Sequence, residues 1–154
     1  MYNIEIKKTD STNLDFQQLV KLLDADLAIR DGDDHDFYHQ FNGIDTLKHC
    51  LLLFKNEKAV ACGTIKFYDD NKAEVKRMFV LESERGQGFA SQLLKELETW
   101  AKDLGFENLI LETGVNQPEA IALYKKCGYE IIENYGQYQG IETSLCFIKS
   151  IITK

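Results

Sequence analysis

The run Arg85-Gly86-Gln87-Gly88-Phe89-Ala90 joins a strand-like segment, Val75-Lys76-Arg77-Met78-Phe79-Val80, to a strongly amphipathic helix. It constrains the fold more than any other stretch. Glycine lacks a Cβ, so the chain can curl there and another molecule can approach its backbone. A helix starting at this point presents N–H groups with no intrahelical acceptor, together with the positive end of its dipole. These features make an anion cradle, and phosphate suits it best. The run is not a P-loop, because no Gly-Lys-Ser/Thr follows. It is not a dinucleotide fingerprint either: the third glycine is missing, and the strands before it read as a hairpin meander.

The rest of the chain reads outward from this turn. Residues 2–7 alternate like a first strand. Asn13 is placed to cap a helix over 14–30, with Phe16, Leu19, Val20, Leu23 and Leu27 on one face. An acidic break over 31–36 and a short helix over 37–41 follow. Segments 50–54, 59–68 and 74–80 are strands, turning at Asn56-Glu57 and Asp69-Asp70-Asn71. After the glycine turn, Phe89, Ala90, Leu93, Leu94, Leu97, Trp100, Ala101 and Leu104 recur at three and four, and Gly105 ends the helix. A short strand over 109–111 precedes a helix that opens at Pro118 and carries Ala120, Leu123, Tyr124 and Cys127 on its apolar face. Gly128 ends it, and strands over 129–132 and 143–148 close the chain. A meander feeding a strand–helix–strand unit gives an α/β fold (mixed α+β) on a mixed sheet with helices on both faces.

The 154 residues fit one domain, and 44% hydrophobic content supplies a core. A net charge of −7 disfavours nucleic acid, which needs a basic face. The N-terminus has no signal-peptide pattern and no segment approaches a membrane span, so a cytoplasmic protein without membrane contact is expected. Cys50, Cys62, Cys127 and Cys146 form no CxxC pair and read as small buried hydrophobes. His35, His39 and His49 lack metal-ligand spacing, so no metal is expected.

Arg85-x-x-Gly88-x-Ala90 between strand and helix, followed by Asn116 and Leu123-Tyr124-x-x-x-Gly128-Tyr129, resembles the GNAT superfamily of acyl-CoA-dependent N-acyltransferases. The chain fits that family's phosphate motif, Gln/Arg-x-x-Gly-x-Gly/Ala, at all three defined positions. The resemblance is specific over about 73–130, while the N-terminal third matches only in element order. It implies a single N-acetyltransferase domain over 1–154, with a mostly antiparallel sheet that splays between its fourth and fifth strands. It also implies acetyl-CoA as co-substrate, its pyrophosphate over the N–H groups of Arg85, Gly86, Gln87, Gly88, Phe89 and Ala90. The pantetheine would run beside a bulged strand ending Met78-Phe79-Val80, with the Met78 N–H aimed at the thioester carbonyl. Asn116 would bond pantetheine or the helix start.

The resemblance offers two catalytic residues. Glu74 stands eleven residues before Arg85, where a histone-acetylating branch of the family has its base; the alternative is an exposed glutamate paired with Lys72 or Lys76. Tyr124 occupies the usual place of the acid that protonates the departing thiolate; the alternative is a core tyrosine. Arg85 either adds charge to the cradle or is a solvated turn residue. Arg77 either holds a substrate carboxylate or forms a surface ion pair. The turn-rich Tyr135-Gly136-Gln137-Tyr138-x-Gly140 could wall the acceptor site. The implied activity is direct acetyl transfer to a primary amine, on a small molecule or a peptide, within a ternary complex. The resemblance also allows a homodimer. The rival readings are a non-catalytic acyl-CoA-binding module, and an enzyme using another nucleophile or acyl group.

Overall fold

A computed structural model of the chain describes residues 3–31 and 47–152. The expected helix over 37–41, the acidic run beyond Asp31, and His35 and His39 lie outside the described residues. Asn13 caps the first helix as its sequence position suggests. Its Oδ1 accepts from Phe16 N–H at 3.0 Å, and α1 runs Leu14–Asp31. The strands are β1 (Ile4–Thr9), β2 (His49–Lys55), β3 (Lys58–Asp69), β4 (Lys72–Val80), β5 (Asn108–Gly114), β6 (Glu130–Ile132) and β7 (Ser144–Ser150). Two further helices, α2 (Phe89–Asp103) and α3 (Pro118–Lys126), complete the described elements with two short 3-10 turns, Glu82–Glu84 and Gly136–Tyr138.

The strands form one sheet in the order β1-β2-β3-β4-β5-β7-β6. The β1–β2, β2–β3, β5–β7 and β6–β7 pairs are antiparallel, and β4–β5 is parallel. Local chemistry sets the hairpins. Asn56 and Glu57 both hold positive φ (51° and 70°), the twist a two-residue turn needs. Asp69 Oδ1 accepts from the N–H groups of Asn71 and Lys72 at 3.0 and 2.9 Å. Both later helices end on glycine in Schellman motifs. Phe106 N–H reaches Ala101 O and Gly105 N–H reaches Lys102 O, each at 3.0 Å, while Tyr129 N–H reaches Tyr124 O at 2.9 Å and Gly128 N–H reaches Lys125 O at 3.2 Å. Leu104, counted by periodicity in the apolar face of α2, is instead half exposed where that helix ends.

The described residues fall into two compact units. One takes in the residues up to Lys66 and Val75–Leu97; the other takes in Phe67–Glu74 and the residues from Glu98 on. In the first, Phe16, Leu19 and Val20 of α1 pack with Leu47, Cys50, Leu52 and Cys62. Gly63, next to Cys62, faces the opposite way. A Cβ there would run into the Met78 thioether and lie 3.2 Å from Leu97 Cδ1 of α2. The two helices therefore cover opposite faces of this unit's sheet. In the second unit, β5 lies against β7 from Asn108↔Ser150 to Gly114↔Ser144, and Phe147 of β7 packs against Tyr124 of α3. Among the described residues no helix is long and apolar enough to cross a membrane.

Replacing Asn13 with Ala should lower unfolding free energy by about 1 kcal/mol through loss of the cap. Urea denaturation checks this; an unchanged midpoint would show that the cap contributes nothing.

Candidate active site

The glycine turn has the geometry of a cradle. Gly86 and Gly88 hold φ of 82° and 81°, a left-handed conformation that L side chains rarely adopt. A Cβ at either would meet nothing within 4 Å, so the space over this backbone is open. The ladder of α2 begins with Gln92 N–H donating to Gly88 O at 3.1 Å, so the N–H groups of its first turn have no acceptor within the helix. Phe89 is buried and anchors that turn in the core.

Side chains brace the turn from both ends. Arg85 is exposed, yet its Nε donates to Val80 O at 2.9 Å and its guanidinium lies 5.6 Å from the Phe79 ring centroid. It ties the turn back to the end of β4, a role that neither sequence alternative included. Lys55 Nζ donates to Glu84 Oε1 at 2.8 Å and to Gln87 Oε1 at 3.2 Å. Gln87 Nε2 in turn donates to Glu84 O and Oε1. The hydrogen bonds from Lys55, then from Gln87, hold the Glu84 carboxyl below its ordinary pKa. Sequence reasoning missed Lys55, which lies far from the motif in the chain.

The strand feeding the turn is irregular where the resemblance led us to expect a bulge. Arg77 holds φ 59°, a left-handed value within β4. Its backbone O accepts from Cys62 Sγ at 3.3 Å. The parallel pairing of β4 with β5 covers Lys72↔Asn108, Ala73↔Leu109 and Glu74↔Ile110, although β4 continues to Val80 and β5 to Gly114. Beyond Arg77, Phe79 packs on the α1 side of the sheet and Met78 lies by Gly63 and Leu97. Arg77 is only 6% exposed, and its Nη1 donates to Asp24 Oδ1 of α1 at 2.9 Å. The ion pair is therefore buried at its arginine end and half-buried at Asp24, and the carboxylate that Arg77 holds is Asp24. Its Nη2 is buried without an acceptor among the described residues.

Glu74 is not an exposed strand glutamate. It is 7% exposed, and its Oε2 accepts from the Tyr135 hydroxyl at 2.6 Å. Lys72 pairs instead with Asp69 at 3.3 Å. The Tyr135 ring meets Tyr68 and Tyr138 edge-on, with centroids 5.3 and 5.8 Å away. Burial, followed by the Glu74 charge and hydrogen bond, pushes the Tyr135 phenol far above its ordinary pKa. The aromatic turn flagged in the sequence thus meets the candidate base directly. Because Glu74 pairs with Ile110, Glu112 falls two residues further along β5 on the same face. Both carboxylates raise the Tyr138 pKa, after burial. Glu112 was not singled out from sequence; the register is what places it.

Tyr124 is 6% exposed in α3 and packs on Tyr129 and Phe147, with centroids 5.8 and 5.9 Å away. Burial first, then the charges of Glu112 and Cys127, raise its pKa, so the phenol stays protonated near neutrality. The ring is fixed by this core packing. Asn116 is exposed in the β5–α3 turn, and α3 starts from Gln117 with no side-chain cap. Met78 and Val80 are half-buried at the end of β4. Burial pushes the Cys50 and Cys146 thiols up to about 11 and Cys62 higher still, which makes poor nucleophiles of them. No cluster of three or more His, Cys, Asp or Glu side chains suited to a metal occurs among the described residues.

Residues 16–129 match the profile of the acetyltransferase (GNAT) family, and the chain belongs to that family. An IAA acetyltransferase of Azospirillum brasilense is 38% identical over 89 residues, 57% of this chain and 58% of that protein. The chain covers 58%, 46% and 40% of the length of the first three curated relatives it matches. A Klebsiella pneumoniae structure, assigned provisionally as an acyl-CoA N-acyltransferase, superposes with a TM-score of 0.81 at 28% identity, covering 99% of each chain. A GNAT acetyltransferase from Elizabethkingia anophelis, solved with acetyl-CoA bound, shares the fold with a TM-score of 0.68 at 21% identity, covering 96% of this chain and 98% of that one.

Gly88→Glu should abolish CoA binding while the chain stays folded, since a carboxylate over the turn would repel a diphosphate. Calorimetric titration beside circular dichroism checks this; unchanged affinity would remove the turn from the binding site.

Proposed function

We propose that the chain transfers an acetyl group from acetyl-CoA to a primary amine by direct attack. The observation that carries this reading is the open, glycine-formed cradle at the start of α2, fed by a β4 strand kinked at Arg77. The cradle takes the diphosphate on the N–H groups of residues 85–90, and the Met78 N–H beside the kink takes the thioester oxygen, with the pantetheine running along this end of β4. Asn116 bonds the pantetheine.

The chemistry needs a proton acceptor and a proton donor. An alkylammonium with a pKa of about 10.4 is neutral near pH 7 only about once in 2,500 molecules, a cost of roughly 4.6 kcal/mol. Glu74 takes the ammonium proton. The amine nitrogen then bonds to the thioester carbonyl carbon, the C–S bond breaks as the sulfur takes a proton from Tyr124, the nitrogen gives up its second proton, which restores the Tyr124 phenol, and the proton held by Glu74 passes to solvent. The products are an N-acetyl amide and CoA. No enzyme thiol joins the path. Membership of the acetyltransferase family supports this enzyme over a mere acyl-CoA-binding module, for which neither Glu74 nor Tyr124 would matter. Thiol release from acetyl-CoA across a panel of primary amines tests the reading, and binding without turnover for every amine would support the module instead.

Tyr124→Phe should lower kcat by roughly a hundredfold or more while leaving CoA affinity unchanged. Because burial raises the phenol pKa, the wild-type rate should show no descending limb from this group as pH rises from 7 to about 10. Stopped assays across that range check both points; a full-rate Phe variant would return Tyr124 to a packing role alone.

A further inference from the structure

We propose that Tyr135 is the positioning residue for Glu74, fixing the carboxylate through its hydroxyl; this rests on the reading of Glu74 as base. A strand glutamate has three side-chain torsions, and a base must aim one lone pair at one proton. The Tyr135 hydroxyl donates to Glu74 Oε2 at 2.6 Å, a short hydrogen bond.

The tyrosine is itself fixed on several sides. Its ring meets Tyr68 at 78° and Tyr138 at 89°. Its backbone O accepts from Tyr138 N–H at 2.9 Å, closing the 3-10 turn, and its backbone N–H bonds the Cys146 sulfur of β7. Tyr138 is buried, and Gly136 turns with φ 53°, a left-handed value that suits glycine. Glu74 thus takes its orientation from a rigid aromatic turn that lies 61 residues away in sequence. The segment touches the base rather than the reacting atoms.

The test is a double-mutant cycle read as thiol release from acetyl-CoA, with benzylamine, spermidine and glycinamide as acceptor probes. Tyr135→Phe keeps the ring and its edge contacts and removes only the hydroxyl. Its kcat should fall about ten- to a hundredfold, with KM for acetyl-CoA and melting temperature unchanged. In a Glu74→Gln background the same change should cost nothing further. A Tyr135→Phe variant at full rate beside a crippled Glu74→Gln overturns the positioning role and leaves the base in place. An equal loss in both backgrounds overturns it too, since that is what a structural tyrosine would give. A fully active Glu74→Gln, or no turnover of any probe by the wild type, defeats the underlying reading and this proposal with it.

Discussion

The single left-handed residue within β4 is the constraint on which the site depends. A regular strand would continue its pleat and its ladder to the end. At Arg77 the backbone instead takes φ 59°, and the register with β5 has already stopped at Glu74↔Ile110. A non-glycine residue in this conformation costs roughly 1–2 kcal/mol. The surroundings hold it there: the guanidinium is tied to Asp24, the carbonyl accepts from Cys62, and Phe79 just beyond is packed into the α1 core. Strain that persists under such constraint is typical of sites whose backbone is used for binding.

From that kink, β4 serves different ends along its length. Its first residues pair with β5 and carry Glu74 into an aromatic environment. Its last residues lead into the glycine turn, where Arg85 returns to bond Val80 O. The braces around the turn, Lys55, Glu84 and Gln87, set its shape before any ligand arrives, so little ordering cost would remain for binding.

Much of this was legible in the sequence because the signals are local. The cap at Asn13, the hairpin at Asn56-Glu57, the three–four repeat of α2 and the stops at Gly105 and Gly128 each depend on residues within a turn of one another. The left-handed turn at Gly86 and Gly88 belongs to the same class. What sequence did not yield were partners: Arg77 finds Asp24 53 residues away, and Glu74 finds Tyr135 61 residues away. Spacing and periodicity say nothing about such pairs, so Glu74 looked like a solvated strand residue or a base with equal ease. Glu112 escaped notice for the same reason, since only the register of β4 with β5 puts it on the face of Glu74. The acceptor's identity is subject to the same limit, because it turns on side chains that distant segments bring together.

The most direct measurement of the central claim is a titration of the amide N–H signals of the isotope-labelled protein with CoA. Main-chain donors that grip a diphosphate should move downfield as the bonds form, with the largest displacements at Gly86, Gly88 and Ala90 and smaller ones at Met78. Saturating CoA that leaves those four signals in place, while others move, would contradict the account at its root.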